Sequence, residues 1–249
     1  MRKILTLGVG AMALAALVAA GTGCSGDDDD DAASDEYGGI WNVTIGSSGG
    51  VSSADFYESY VGDDSSFRDI PSDACIVILG AGASTSADPV ITYEDVGDAL
   101  AAAAAATTFT LVEDTTPAYP DSQYASAAVA PAEDDATYDL TIDGDAFASI
   151  DVPALPFPLS VTGTVLSWTT MGASDAFVAI IATDFDPVYL CHVTDDGSYD
   201  FTTTAATVTS GFVSVIGANY AEVGHTDGTV LVIGQSNDPF DLGNLIYYP

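Results

Sequence analysis

The chain has 249 residues, 37 of them acidic and only 3 Lys or Arg, for a formal net charge of −34, yet 48% is hydrophobic and 10% aromatic. With that apolar share and its many Val, Ile and Thr residues it can bury a core, which separates it from acidic disordered tails. Nucleic acid is excluded as a partner, because no cluster of Lys or Arg exists to neutralise phosphates, and anionic partners in general are disfavoured.

In chain order, Arg2 and Lys3 precede a weakly apolar run from Ile4 to Ala20, followed by Gly21, Thr22, Gly23 and Cys24. A positive start, an apolar stretch and small residues before a break describe a secretory signal peptide over residues 1–23. The alternative is an uncleaved anchor, since about 17 to 20 apolar residues just span a bilayer. Against it, the run is rich in Ala and Gly and no positive charge follows. Ending the small residues on Cys24 resembles the lipobox of bacterial lipoproteins, with Gly21 where that family prefers an aliphatic residue. The resemblance implies that Cys24 is lipidated and becomes the mature N-terminus. Residues 24–36, with Asp27 to Asp31 in succession, repel one another and stay solvated, so they read as a disordered acidic tether. A Cys, Ser and acidic run is similar to signals that carry lipoproteins to the outer face of the outer membrane. It implies a lipid-anchored protein at the bacterial cell surface, with the periplasmic face as the alternative.

Loss of residues 1–23 leaves Arg68 as the only strong base and no Lys. That excludes a Schiff-base lysine, a phosphate-binding P-loop lysine and Ser/Lys chemistry in the exported form. It also predicts stability that depends on salt or divalent cations.

From Tyr37 onward, short β-branched and aromatic runs are punctuated by Gly, Pro and Asp, with no sustained helical period. Trp41, Val43, Ile45 and Tyr138, Leu140, Ile142 alternate with polar residues as half-buried strands do. Further strands are expected at 75–79, 90–93, 107–112, 165–168, 176–183, 188–193, 199–202, 211–217 and 229–233. Asp143-Gly144, Asp196-Gly197 and Asp227-Gly228 offer the positive φ of tight hairpins. Residues 98–106, nearly all Ala, fit helix by propensity and extended strand by context; residues 52–60 could form a short helix. Pro153, Pro156 and Pro158 mark a boundary, dividing the mature chain into β-sandwich-sized parts, 37–152 and 153–249, with one larger sandwich as the alternative.

The predicted class is therefore all-β, as one or two antiparallel sandwiches. The strand spacing of the second part, with Leu159 to Val161, Val165 to Trp168, Phe177 to Ile181, Leu190 to Val193, the hairpin at Asp196 to Tyr199, and Phe212 to Ile216, resembles immunoglobulin and fibronectin type III modules. The resemblance implies that Trp168 is a core residue. The whole chain is also similar to uncharacterised bacterial lipoproteins with one Cys in each half, which implies no activity. Apart from Cys24 the chain has Cys75 and Cys191, which in an exported protein most simply form one disulfide, with two buried thiols as the alternative. The adjacent Cys191 and His192 would point to opposite strand faces, which argues against a zinc site.

Several constellations bear on chemistry. Gly46, Ser48 and Gly50 fit the Gly-x-Ser-x-Gly nucleophile elbow of serine hydrolases, with His225 far downstream, but the alternating α/β context is missing. Carboxylate pairs such as Asp184 with Asp186 leave a glycosidase dyad open without locating it. Asp143, Asp145 and the cluster Asp195, Asp196, Asp200 put carboxylates at turns, where Ca2+ could bind weakly; no EF-hand loop occurs. Twelve Tyr and two Trp could stack on sugar rings. The expected role is non-enzymatic, with no catalytic residues and no cofactor beyond possible Ca2+: interaction, adhesion or envelope structure, with envelope proteins or glycans as partners. A carbohydrate- or calcium-dependent binding module is the alternative, and a hydrolase the third reading.

Overall fold

The computed structural model describes residues 37–61, 70–79, 90–113, 123–182, 188–200, 202, 210–225, 228–237 and 246–248. Residues 1–36, on which the expected signal peptide, Cys24 and the expected tether fall, and Arg68, Asp184, Asp186 and Asp227 lie outside them. The fold is all-β, and no helix occurs among the described residues. The strands are β1 (Tyr37–Gly46), β2 (Gly49–Val61), β3 (Cys75–Leu79), β4 (Val90–Tyr93), β5 (Leu100–Ala103), β6 (Thr108–Glu113), β7 (Tyr124–Ser126), β8 (Ala136–Ile142) and β9 (Asp145–Val152). After these come β10 (Ser160–Thr162), β11 (Val165–Ser167), β12 (Asp175–Ala182), β13 (Val188–Val193), β14 (Ser198–Asp200), β15 (Gly211–His225), β16 (Gly228–Ser236) and β17 (Ile246–Tyr248).

Alternation decides which face each strand buries. Trp41, Val43 and Ile45 of β1 are fully buried, and opposite them β2 turns in Ser52, Ala54 and Phe56. The short helix expected at 52–60 is therefore strand: Ser52, Ala54 and Phe56 bury every second side chain, a period that a helix cannot satisfy. The Ala-rich run is extended too. Ala102 sits between Phe109 of β6 and Leu140 of β8, and its small side chain lets the rings of Phe109 and Tyr138 stack with centroids 5.7 Å apart. At the β8–β9 turn Asp143 and Gly144 both have positive φ, 51° and 85°, as a two-residue hairpin of matching twist requires.

Twelve strands form one continuous sheet in the order β3-β13-β12-β15-β16-β1-β2-β7-β6-β5-β8-β9, with β4 attached to β2 and β17 to β15. All neighbours are antiparallel except β1 and β16, which run parallel. A separate sheet, β10-β11-β14, has three strands. The long sheet rolls until β9 lies across β15 and β16. There Asn219 Nδ2 donates to Asp151 O at 3.0 Å and Ser236 Oγ to Ala154 O at 2.8 Å. The roll encloses Trp41, Phe56, Phe109, Tyr124, Tyr138 and Val232. Further along the same face, the three-stranded sheet packs over β12, β13 and β15, and Leu166, Trp168, Val178, Cys191 and Val215 fill the gap. The opposite face of the long sheet carries a third apolar cluster, including Phe177, Leu190, Ile216 and Ile233, with Ile70 among them.

The boundary expected at residues 152/153 falls between β9 and β10, and strands are shared across it. From the first part, β3 joins β13; from the second, β15 and β16 complete the rolled core.

Candidate functional site

A cavity of about 520 Å³ opens where three pieces of chain meet: Ser72 before β3, the segment leading into β12, and the end of β13. Its walls include Thr170, Gly172, Ala173, Ser174, Asp175, His192, Val193, Thr194 and Asp195.

One carboxylate shapes the segment before β12. Asp195 Oδ1 accepts from the indole Nε1 of Trp168 at 2.9 Å. Its Oδ2 accepts from the backbone N–H groups of Met171 at 2.8 Å, Gly172 at 2.9 Å and Ala173 at 3.3 Å. Three successive amides reach one oxygen because the backbone turns left-handed at Gly172, where φ is 72°. Ser174 N and Oγ then both donate to Asn219 Oδ1, at 2.7 and 2.9 Å, which seats the loop on β15.

His192 closes the other wall. Its Nδ1 lies 2.7 Å from Ile70 O and its Nε2 lies 3.1 Å from Asp175 Oδ1, while its ring packs on Phe177 with centroids 4.9 Å apart. A carbonyl oxygen only accepts, so Nδ1 is a donor. With both nitrogens engaged, the ring has no free position from which to take a proton from a serine. The backbone repeats the attachment: Asp73 N donates to His192 O at 3.1 Å and His192 N to Ala74 O at 2.9 Å.

The second histidine lies elsewhere. His225 ends β15 with its ring beside Phe56 and Phe147, centroids 5.4 and 6.0 Å away, and its Nε2 is 3.3 Å from Glu94 Oε2. Both atoms are buried, within ion-pair distance but not aligned as a hydrogen bond. Glu94 is fixed through its backbone, which donates to Phe56 O at 2.8 Å and accepts from Gln123 Nε2 at 2.8 Å.

Against the residues singled out by sequence, the geometry is specific. Ser48 sits in the two-residue turn between β1 and β2, flanked by Gly46 and Gly50, a strand-to-strand corner rather than the strand-to-helix corner of a nucleophile elbow. Phe56, which touches His225, pairs with Gly39 at the far end of the same ladder. Ser48 and His225 are thus at opposite ends of β1 and β2. Cys75 and Cys191 are joined in a disulfide, as directly opposed residues of β3 and β13. Asp195, Asp196 and Asp200 do not share a cation. Asp195 is used as described, Asp196 Oδ1 accepts from Ser198 N at 3.0 Å, and Asp200 Oδ1 accepts from the Thr202 amide and hydroxyl at 3.1 and 2.8 Å. The Thr202 amide and hydroxyl, with the hydroxyl of Thr164, hold Asp200 below the usual carboxylate range. Asp143 Oδ1 accepts from the amides of Asp98 and Ala99 at 3.1 and 3.0 Å, and Asp145 is exposed at the start of β9. Among the described residues no three His, Cys, Asp or Glu side chains converge on one metal position. Asp175 and Glu94 were not singled out by sequence; each acquires meaning only from a histidine far along the chain. Nothing matches this chain among protein-family models, curated proteins or solved structures.

Proposed function

We propose that this is a lipid-anchored protein of the bacterial cell envelope, held at the outer membrane through Cys24 and displayed on the cell surface, where its β body acts by binding and not by catalysis. The observation that carries the reading is the Cys75–Cys191 disulfide, a bond that persists in exported proteins and is rare in the cytosol. The resemblance of residues 21–24 to a lipobox supports the anchor. The non-enzymatic role is supported by the two described histidines: one has both nitrogens engaged, and the other is buried against a carboxylate, remote from Ser48. We read residues 153–249 as the immunoglobulin or fibronectin type III-like part, on the support of the three-stranded sheet packed over β12, β13 and β15 with Trp168 between the layers.

The test is metabolic labelling with an alkyne fatty acid, followed by fractionation and protease treatment of intact cells. Wild type is expected to take up label, sediment with the outer membrane and be cut by external protease; Cys24→Ala is expected to lose the label and the sedimentation. Unlabelled wild type, or wild type recovered in the cytosol, would refute the anchor.

A further inference from the structure

The last strand of an open sheet leaves one row of N–H and C=O groups without a neighbour, and the two ends of the long sheet treat that row differently. At one end β9 carries Asp145 and Asp151 and lies across β15 and β16. At the other end β3 has neither charge nor Pro, and β13 beside it has no carboxylate. Residues 74–87 contain no charged side chain, in a chain with 37 acids. Ile76 and Val77, on opposite faces of β3, are 36% and 50% exposed. The ladder shows which way the backbone groups of β3 point. His192 N donates to Ala74 O and His192 O accepts from Asp73 N, so the next pair, Cys191 with Cys75, exchanges no backbone bonds. The N–H and C=O of Cys75 therefore aim away from β13, and alternation brings those of Val77 to the same side, where no described strand pairs with them. The disulfide and this ladder hold the edge in place before any partner arrives.

We infer that β3 is a self-association edge, pairing antiparallel with β3 of a second copy of this chain across a two-fold axis near Val77. The occupant follows from charge. An uncharged edge gives a basic partner nothing to bind, whereas a net charge of −34 makes two copies repel wherever their carboxylates meet. Across this axis the acids next along the chain, the two Asp73 residues, fall on opposite sides, about 25 Å apart at about 3.3 Å per residue, or roughly three Debye lengths at about 0.15 M salt. Two-fold symmetry presents each edge with the same uncharged strand reversed, so both rows are paired at once and growth stops at two. So short an edge buries less than the roughly 1,200 Å² of a stable interface, which makes the dimer reversible. The inference goes beyond the reading above and does not require that Cys24 carry lipid, so the labelling experiment and this one fail separately.

The test places the photo-crosslinker p-benzoylphenylalanine at Val77 of the full chain in cells and identifies the joined peptides by mass spectrometry. A species of twice the mass is expected, with position 77 joined to residues 75–79 of a second copy. The same probe at Val112, 67% exposed on β6, is expected to give none. In sedimentation of the purified full chain in detergent at about 100 μM, the dimer fraction is expected to grow between about 0.01 and 0.5 M NaCl as repulsion is screened. Val77→Lys, at a half-exposed position, is expected to weaken the dimer at least tenfold while keeping the wild-type circular dichroism spectrum, and Val112→Lys to leave it unchanged. A monomer throughout, a crosslink from position 77 to another protein or to a different strand of the copy, or equal dimerisation of Val77→Lys and Val112→Lys would overturn it.

Discussion

Asp195 shows how much structure one side chain can carry: it satisfies an indole N–H and three consecutive amides. Asp195→Ala removes charge-assisted acceptors worth more than ordinary ones, and a loss of about 2–4 kcal/mol is expected in urea unfolding. Two buried phenols give a pH prediction. Tyr138 and Tyr124 are held above their ordinary range chiefly by burial, which disfavours the phenolate. A group whose affinity for its proton rises on folding contributes stability that is complete below its unfolded value, about 10, and is lost as pH climbs through the folded one. The melting temperature is therefore expected to fall above about pH 10, and less steeply in Tyr138→Phe and Tyr124→Phe than in wild type. At this scale alternation announced Trp41 and Tyr138 as core, and for Trp168 the likeness to immunoglobulin and fibronectin type III modules implied the same; all three are buried. The sequence placed Asp195 in a cation cluster, because the fate of a turn carboxylate depends on which amides the backbone aims at it, and those come from a segment over twenty residues earlier.

Among the elements, the crossing of β9 over β16 leaves no space for one methyl group. A Cβ at Gly234 would come 2.6 Å from Asp151 O and 2.9 Å from Ile150 Cγ1. Gly234→Ala is expected to destabilise by about 1–3 kcal/mol, as overpacking does. Gly224→Ala, where a Cβ meets nothing within 4 Å, is expected to stay within about 0.5 kcal/mol of wild type in the same urea titration. Strand positions were largely legible: 75–79 and 188–193 coincide with β3 and β13. The three-residue strand β7 was not, since Tyr124, Ala125 and Ser126 have no period to read, and it exists because its neighbours β2 and β6 supply its ladders. The Ala-rich β5 was ambiguous for the opposite reason: its own propensity favours helix, and only the flanking β6 and β8 hold it extended.

For the whole molecule two global terms dominate, charge and the cross-link. With a net charge of −34 and no Lys or Arg among the described residues, self-repulsion opposes folding and salt relieves it. The melting temperature is expected to rise between 0.01 and 0.5 M NaCl, by about 2–4 °C for each kcal/mol of repulsion screened. The disulfide spans 116 positions, so Cys75→Ser with Cys191→Ser is expected to cost about 4–5 kcal/mol in the chain-entropy description, read from the urea midpoint. All-β class followed from alternation and turn residues and an acidic exterior from composition; the order of strands followed from neither, because pairings such as β1 with β16 or β3 with β13 leave no local trace. That parallel pairing sets a timetable. A chain that emerges N-terminus first releases Trp41, Val43 and Ile45 long before Val230 and Val232, so through most of its synthesis or translocation the first strand has β2 beside it on one edge and nothing on the other. Keeping that edge from strange strands until the last hairpin arrives is a task for the cell's holding factors, and the abundance of such factors, more than the stability of the finished fold, should govern how much protein is recovered.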